Sequence, residues 1–419
     1  MSWLVLCVLA LSALSPARGM SAAPPGVVET GAPSFVVLGP EALGLSTAPS
    51  DLHLLPDGRI LIVAQRELTF GDGVRWETFH GTAEQSNLLS QVAVDPNDGA
   101  IYVGTFGGIS RIELGETARW RFSPVEKFPV GAHEQLAGKV ATFPHQWLWF
   151  GGGDLVLSWR PGETSRLCGS FGPIDRILSL DQDVYLSDQS VGKLFRLGPD
   201  GRSEVVEASA LLVSESVTCA VPYAPGQILV GTVSAGLKLF DGRTFRPFGP
   251  PGLLNGVRRI TDLCAAGENY FAAAVDTVGI VFFDREGRTV QVLERTLDHR
   301  LARVLRLRYS ESGVLWALLH EGVARVGFPS PVSHFEPLVA SGLVYPVPLR
   351  HAGQLWILGD GRAMRALYDA QGRLEHFVDD TPPGRYLVPL AEVDGQLFGT
   401  NEEGIFVRDE GRWRSILPG

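Results

Sequence analysis

Asp98-Gly-Ala-Ile-Tyr-Val-Gly-Thr-Phe-Gly-Gly-Ile-Ser110 is the stretch that decides the fold of this chain. It places a turn of Asp and Gly before a short strand, Ile101–Gly104, and a glycine turn after that strand. Asp and Gly tolerate the backbone angles of tight turns, whereas β-branched and aromatic residues favour strands. The stretch therefore predicts two short strands joined by a tight turn.

Copies of this pattern recur along the whole chain. Aligned on their central strands, the core positions are Ile60, Ile101, Leu148, Val184, Ile228, Tyr270, Leu315, Leu355 and Leu397. Neighbouring positions lie between 36 and 47 residues apart. A repeat of about 40–45 residues is typical of a four-stranded propeller blade, and no stretch shows convincing helical periodicity. The sequence therefore predicts an all-β fold, a β-propeller of four-stranded blades.

The number of repeats predicts more than one ordinary ring, which typically has about four to eight blades. A Pro-rich break at Phe328-Pro-Ser-Pro-Val332 follows the seventh central strand. The early strand Phe35–Leu38 has no blade of its own, so we expect it to complete the seventh blade beside Gly322–Gly327. We therefore predict a seven-bladed propeller over residues 34–328 and two further propeller-type repeats over residues 329–419. A single eight- or nine-unit ring, or an open array, remains the alternative.

The N-terminal residues differ from the repeats. Trp3–Leu14 is an apolar run followed by small residues suited to cleavage, which predicts a secretory signal peptide over residues 1–22. The alternative is an uncleaved anchor. Residues 23–33 form a linker rich in Pro, Gly and Ala. No second apolar run reaches the length of a membrane span, so we expect a periplasmic or secreted protein with no transmembrane span in the mature chain.

Composition narrows the possible partners. The formal net charge is −10, which argues against nucleic acid and against an anionic membrane surface. Cys7 lies in the signal peptide, and the three remaining cysteines have no spacing that predicts a disulfide framework. We expect buried free thiols at Cys168, Cys219 and Cys264.

No catalytic motif was found, so we predict no catalytic residues. The turns between second and third strands offer a candidate ligand-binding rim at one mouth of the tunnel, made by Arg66, Phe106, Asp154, Asp188, Ser234, Asp276 and Glu321. Its carboxylates could hold Ca²⁺ or bind sugar hydroxyls, although Asp and Ser are also common turn residues. We expect no other cofactor. The segment Arg300–Arg308 alternates basic and apolar residues, and we interpret it as the charged face of a half-solvated first strand.

The repeat unit resembles the two-component-regulator propeller repeat. The best matching copies are Asp98–Ile109, Gly226–Asp241 and Asp394–Val407. That repeat builds the periplasmic sensor region of hybrid two-component systems, often as two seven-bladed propellers in tandem. The sandwich, membrane helix and kinase or DNA-binding domains that follow in the family are not recognisable here. The resemblance implies a sensor region without signalling domains.

The function expected from this resemblance is an exported, non-catalytic, sensor-type propeller. Its partner would be a small molecule such as an oligosaccharide, or a protein. One alternative is an enzyme of the lactonase or streptogramin-lyase type with a metal at the tunnel mouth. Another is a protein-interaction scaffold, because a fold alone does not choose a function.

Overall fold

A computed structural model describes residues 31–81, 92–105, 108–116, 118–128, 140–142, 148–152, 155–171, 174–181, 183–188, 193–197, 203–206, 215–252, 254, 258–330, 333–334, 346–359, 361–369, 372, 374–384, 388–409 and 411–418. The predicted signal peptide lies outside them, as does most of the predicted linker. The chain divides into two compact units. One spans Pro33–Val332 and the other contains Ser333–Gly419.

The larger unit begins with short elements and three blades. The short strand β1 (Ala32–Pro33) falls at the division between the units in the sequence, and β2 (Phe35–Leu38) and helix α1 (Pro40–Leu43) follow it. The first blade consists of β3 (Pro49–Leu54), β4 (Ile60–Ala64), β5 (Glu67–Gly71) and β6 (Trp76–His80). The second blade consists of β7 (Val92–Val94), β8 (Ile101–Thr105), β9 (Gly108–Gly115) and β10 (Arg119–Lys127). The third blade consists of β11 (Val140–Thr142), β12 (Leu148–Gly152), β13 (Leu155–Trp159) and β14 (Arg166–Ser170).

Four more blades follow in the same unit. The fourth contains β15 (Ile174–Leu180), β16 (Asp183–Asp188), β17 (Lys193–Leu197) and β18 (Ser203–Val205). The fifth contains β19 (Val217–Ala224), β20 (Gln227–Thr232), β21 (Leu237–Phe240) and β22 (Phe245–Pro247). The sixth contains β23 (Ile260–Ala265), β24 (Tyr270–Val275), β25 (Gly279–Asp284) and β26 (Thr289–Glu294). A 3₁₀ helix, His299–Ala302, leads to the seventh, with β27 (Val304–Tyr309), β28 (Val314–Leu319) and β29 (Gly322–Gly327).

The early strand β2 supplies the missing fourth strand of the seventh blade. It pairs antiparallel with β29, with Phe35 opposite Val326 and Leu38 opposite Val323. The sheet order is β2-β29-β28-β27. Antiparallel pairing of the two ends of the unit closes the ring and leaves no open edge strand at the join. The predicted closure is confirmed, and it favours the seven-bladed interpretation over one larger ring.

Apolar second strands form the core between blades. Every predicted core position lies in a second strand, and the five residues of β4 are all fully buried. Leu61 belongs to a buried cluster with Val103 of the second blade, and Ile62 belongs to another with Trp316 and Leu318 of the seventh. Burying both faces of each sheet against its neighbours is what makes a ring of such sheets stable. The predicted all-β propeller of four-stranded blades is confirmed.

The turn that opens the deciding stretch is held by its first aspartate. Asp95 Oδ1 accepts hydrogen bonds from the backbone N–H of Asn97 and from its side-chain amide, each at 2.9 Å. Gly99, with φ of +72°, donates its N–H to the carbonyl of Asp95 at 2.9 Å. Only a residue that tolerates the left-handed region closes this turn without strain. Turn chemistry therefore sets the register of the strand that follows.

Glycine at the start of third strands has a steric cause. Gly279 has φ of +132°, and a Cβ there would lie 2.1 Å from the carbonyl oxygen of Leu293 on the fourth strand. Gly322 has φ of +126°, and its Cβ would lie 2.1 Å from the carbonyl oxygen of Leu38 on the closing strand. No side chain fits such an approach. The repeated glycine is therefore required by the pairing of the fourth strand.

The smaller unit contains two blades of the same kind. The short strand β30 (Ser333–His334) precedes them. The first blade contains β31 (Val347–His351), β32 (Gln354–Gly359), β33 (Arg362–Tyr368) and β34 (Leu374–Asp379). The second contains β35 (Val388–Val393), β36 (Gln396–Asn401), β37 (Gly404–Asp409) and β38 (Arg412–Pro418). Trp356 of the first blade is fully buried in a cluster with Leu397 of the second.

A single carboxylate ties these two blades together. Asp380 Oδ2 accepts hydrogen bonds from Arg365 at 2.7 Å and from Arg408 at 2.6 Å. Its backbone carbonyl accepts a third from the indole N–H of Trp413 at 2.8 Å. Arg408 also lies over the ring of Trp356, with its guanidinium carbon 4.9 Å from the ring centroid. Charge pairing and cation–π contact therefore add to apolar burial between the two sheets.

Candidate functional site

The predicted rim residues occupy turns at one end of the strands. Arg66, Ser234, Asp276 and Glu321 lie between the second and third strands of the first, fifth, sixth and seventh blades. Arg66 and Glu321 are exposed, whereas Ser234 and Asp276 are half-buried. Phe106 and Asp154 lie outside the described residues.

Asp188 differs from the other rim residues because it ends β16 and is buried, with 4% of its surface exposed. The register places it opposite Ile174 on one side and Lys193 on the other. A buried carboxylate at a strand end is poorly placed to meet a large ligand. Asp188 therefore differs from the exposed rim residues in its access to solvent.

Hydrogen bonds attach these turns to the segments that enter the first strands. The N–H of Asp276 donates to the carbonyl of Arg259 at 2.9 Å, and that of His320 donates to the carbonyl of Arg303 at 3.1 Å. Ser234 is held by Glu215, which accepts a hydrogen bond from its backbone N–H at 3.0 Å and another from its hydroxyl. The rim turns thus lie at the entry end of the first strands, one strand outward from the central channel.

The first strands, not the second, line that channel. Neighbouring first strands lie side by side around the ring, from β7 through β11, β15, β19, β23 and β27 to β3. Their inward side chains enclose a cavity of about 370 Å³. Among the described residues its charged lining is made by Asp51, His53, Arg176, Asp262, Arg306 and Arg308. Ligand pockets in proteins typically have volumes of ~300–1,000 Å³, so a cavity near the lower end of that range suits a small ligand.

Asp51 of the first blade pairs with the seventh blade across the ring closure. Arg306 donates from Nε to Asp51 Oδ1 at 3.2 Å, and His53 Nε2 lies 3.5 Å from Asp51 Oδ2. Burial opposes the charge of Asp51, but its interactions with His53, Arg306 and Arg308 outweigh this effect. They hold the pKa of Asp51 well below its usual range. Asp51 is therefore ionised at neutral pH and fixes the position of Arg306.

A second carboxylate has the same role in the sixth blade. Asp262 Oδ2 accepts a hydrogen bond from the backbone N–H of Leu307 at 2.7 Å and another from Arg308 Nη1 at 3.3 Å. Across the channel, Arg176 donates from Nε to the carbonyl of Thr218 at 2.8 Å. These bonds join successive blades, so the polar lining is rigid as well as charged.

Two thiols lie near this lining. Burial raises the pKa of Cys219 to about 12, and burial with the charge of Asp262 also raises the pKa of Cys264. Both thiols stay protonated and unreactive at neutral pH. Cys168, Cys219 and Cys264 are free cysteines, as expected, but only Cys219 is buried, whereas Cys168 and Cys264 are half-buried. Within the described portion of the chain, no group of three or more His, Cys, Asp or Glu side chains is placed to hold a metal.

Sequence reasoning missed the channel residues, although a signal was present. Arg306 and Arg308 belong to the alternating segment that was interpreted only as a charged face. Asp51 and His53 alternate in the same way along β3. Alternation places every second side chain of a first strand on one face. In a closed ring that face is the channel lining.

The low pKa of Asp51 predicts that part of the folding stability is lost at acidic pH. A carboxyl with a depressed pKa stabilises the fold fully above its unfolded pKa of about 3.9, and this contribution fades as pH falls toward the folded value. We expect the difference in unfolding free energy between the native chain and Asp51→Asn to be roughly 1 kcal/mol smaller at pH 3 than at pH 7. Urea unfolding at both pH values measures it. An unchanged difference would contradict the ionised Asp51 described here.

Comparisons with known proteins support the fold. No protein family and no curated protein matches this sequence. Among solved structures, the extracellular domain of the hybrid two component system BT3049 from B. thetaiotaomicron is similar, with a TM-score of 0.65 and 17% identity. The similarity covers 90% of this chain and 53% of that one. The chain thus spans about half the length of that relative.

Two other similar structures have different roles. A streptogramin B lyase has a TM-score of 0.52 and 12% identity, covering 70% of this chain and 97% of that one. PorZ of Porphyromonas gingivalis, a surface component of the type-IX secretion system, has a TM-score of 0.51 and 15% identity, covering 85% of this chain and 57% of that one. At such identities the likeness shows the propeller fold alone. Within the described residues, no helix is long and apolar enough to cross a membrane.

Proposed function

We propose that this chain is an exported, non-catalytic propeller of the sensor type, which binds an oligosaccharide or another small molecule at the rim of its seven-bladed ring. The observation that carries the proposal is the extent of the BT3049 similarity, which covers 90% of this chain. A match of that extent takes in more than the ring, which spans Pro33–Val332. The apolar N-terminal run supports export to the periplasm or cell surface.

The lyase-type enzyme is the weaker alternative. The streptogramin B lyase covers 70% of this chain, about the share of the ring by itself. The described rim residues form no metal cluster. If the chain is such an enzyme, incubation with a streptogramin B antibiotic would consume it. We expect mass spectrometry to show that the antibiotic is unchanged and elemental analysis to find no stoichiometric metal. Loss of the antibiotic, or a stoichiometric bound metal, would favour the enzyme.

The scaffold alternative has its own support in the similarity to PorZ, a component of a secretion system. A scaffold would use the sides of the blades and would not need the rim turns. A pull-down with native and rim-variant chains separates the two functions. Capture of one partner that rim substitutions leave unchanged would favour the scaffold.

The sensor proposal predicts ligand-dependent stabilisation through the rim. In a thermal-shift screen of the full chain against oligosaccharides, we expect at least one sugar to raise the melting temperature, because a ligand that binds only the folded state stabilises it. Asp276→Ala combined with Glu321→Ala should abolish the shift. Asp57→Ala is the matched control, since Asp57 lies in an exposed turn between β3 and β4, at the other end of the strands. If the melting temperature still rises with the sugar after the rim substitutions, the sugar binds at another site.

A further inference from the structure

The charged side chains that line the central channel differ in balance from those of the chain as a whole. The chain has a formal net charge of −10. Among the described lining residues, three guanidinium groups and two carboxylates face the cavity. Arginines therefore outnumber acidic residues in the described lining, whereas the whole chain has 36 Lys and Arg against 46 Asp and Glu. A charged cavity with low-dielectric walls concentrates ions of the opposite sign.

The two arginines of β27 are held by carboxylates, but these contacts do not occupy all of their N–H donors. Arg306 donates from Nε to Asp51 and from Nη1 to the carbonyl of Leu305. Arg308 uses only Nη1, toward Asp262 and the carbonyl of Leu307. No described residue accepts a hydrogen bond from Nη2 of either arginine or from Nε of Arg308. These donors remain available on guanidinium groups whose positions are already fixed.

The surroundings of Arg306 and Arg308 also favour binding of an anion. Arg306 and Arg308 are two residues apart on one strand, so both side chains lie on the channel face. Asp51 and Asp262 restrain them from blades on either side. Guanidinium groups match the planar, paired oxygens of carboxylates and phosphates, and little entropy is lost when the side chain is already positioned. The arrangement is that of a prepared receptor for negatively charged oxygens.

We propose that the channel of the seven-bladed ring is a binding site for a small anion carrying carboxylate or phosphate groups, held by Arg306 and Arg308 with Arg176 contributing charge from the opposite wall. The cavity of about 370 Å³ accepts a molecule of that size but not a polymer. This site is separate from the rim and does not depend on sugar binding there.

Calorimetric titration of the full chain at constant ionic strength tests the proposal. The probes are inorganic phosphate and citrate, which separate phosphate from carboxylate chemistry, and glucose as the neutral control. We expect saturable binding of at least one anion, whereas any binding of glucose should be the same for the native chain and for Arg308→Met. Arg308→Met should weaken anion binding about ten-fold or more, because a charge-assisted hydrogen bond is lost. Arg121→Met is the matched control, since Arg121 lies on β10 with 79% of its side chain exposed.

Asp262→Asn should change anion affinity in the opposite direction to Arg308→Met, which a purely structural role of these residues would not produce. Asn keeps an acceptor for the N–H of Leu307 but removes a negative charge, so we expect several-fold tighter anion binding. This variant also keeps the proposal testable if Arg308→Met fails to fold. The proposal is overturned if neither anion binds, if Arg308→Met behaves like Arg121→Met, or if Asp262→Asn binds no more tightly than the native chain.

Discussion

Replacing Gly322 by alanine is expected to lower the free energy of unfolding of the seven-bladed ring by about 3 kcal/mol. The backbone at Gly322 has φ of +126°, a conformation that side chains rarely adopt. The new Cβ would also lie 2.1 Å from the carbonyl oxygen of Leu38. Leu38 belongs to the strand that closes the ring, so the clash acts on the join itself. Urea unfolding gives the free energy, and hydrogen exchange of residues 35–38 shows whether the closing strand is released.

Gly58→Ala separates backbone strain from the clash. Gly58 has φ of +85°, but a Cβ there meets nothing within 4 Å. We expect this variant to cost only about 1 kcal/mol, the strain of the left-handed region by itself. If the two variants cost the same, the contact with the closing strand does not hold the ring together.

Replacing Asp380 by alanine is expected to destabilise the unit of Ser333–Gly419 by about 3 kcal/mol. The change removes the shared partner of Arg365 and Arg408, whose side chains are 23% and 12% exposed. Two largely buried cations would then face each other without a carboxylate. Hydrogen exchange of the β32 and β36 peptides should rise strongly, while that of peptides from the ring stays at the native level.

Glu375→Ala serves as the control for Asp380→Ala. Glu375 lies on β34, close in sequence, and its side chain is 61% exposed. Exposed pairs of this kind contribute little to stability. We expect no measurable change in exchange or unfolding. A similar effect of both variants would mean that Asp380 does not join the two blades.

Much of the fold could be predicted because it is built from local patterns repeated nine times. Turn residues and apolar runs determine each hairpin, and the period of the repeat determines how the sheets stack. The closing role of Phe35–Leu38 followed from counting, since a strand without a blade must complete one. The rim was harder to predict, because the same residue types serve ordinary turns, and its binding role stays a prediction.

The amino-acid sequence by itself determined the all-β repeat and the positions of the second strands, since these depend on residues close to one another in the chain, and counting the repeats identified the strand that closes the ring. Only the tertiary structure decided the channel site. Asp51 and Arg306 are 255 residues apart and meet because ring closure brings the first blade beside the seventh. Alternating polar residues on separate first strands are ordinary features of each repeat. Their charges act together only when closure turns those faces toward one cavity, where low dielectric strengthens every interaction.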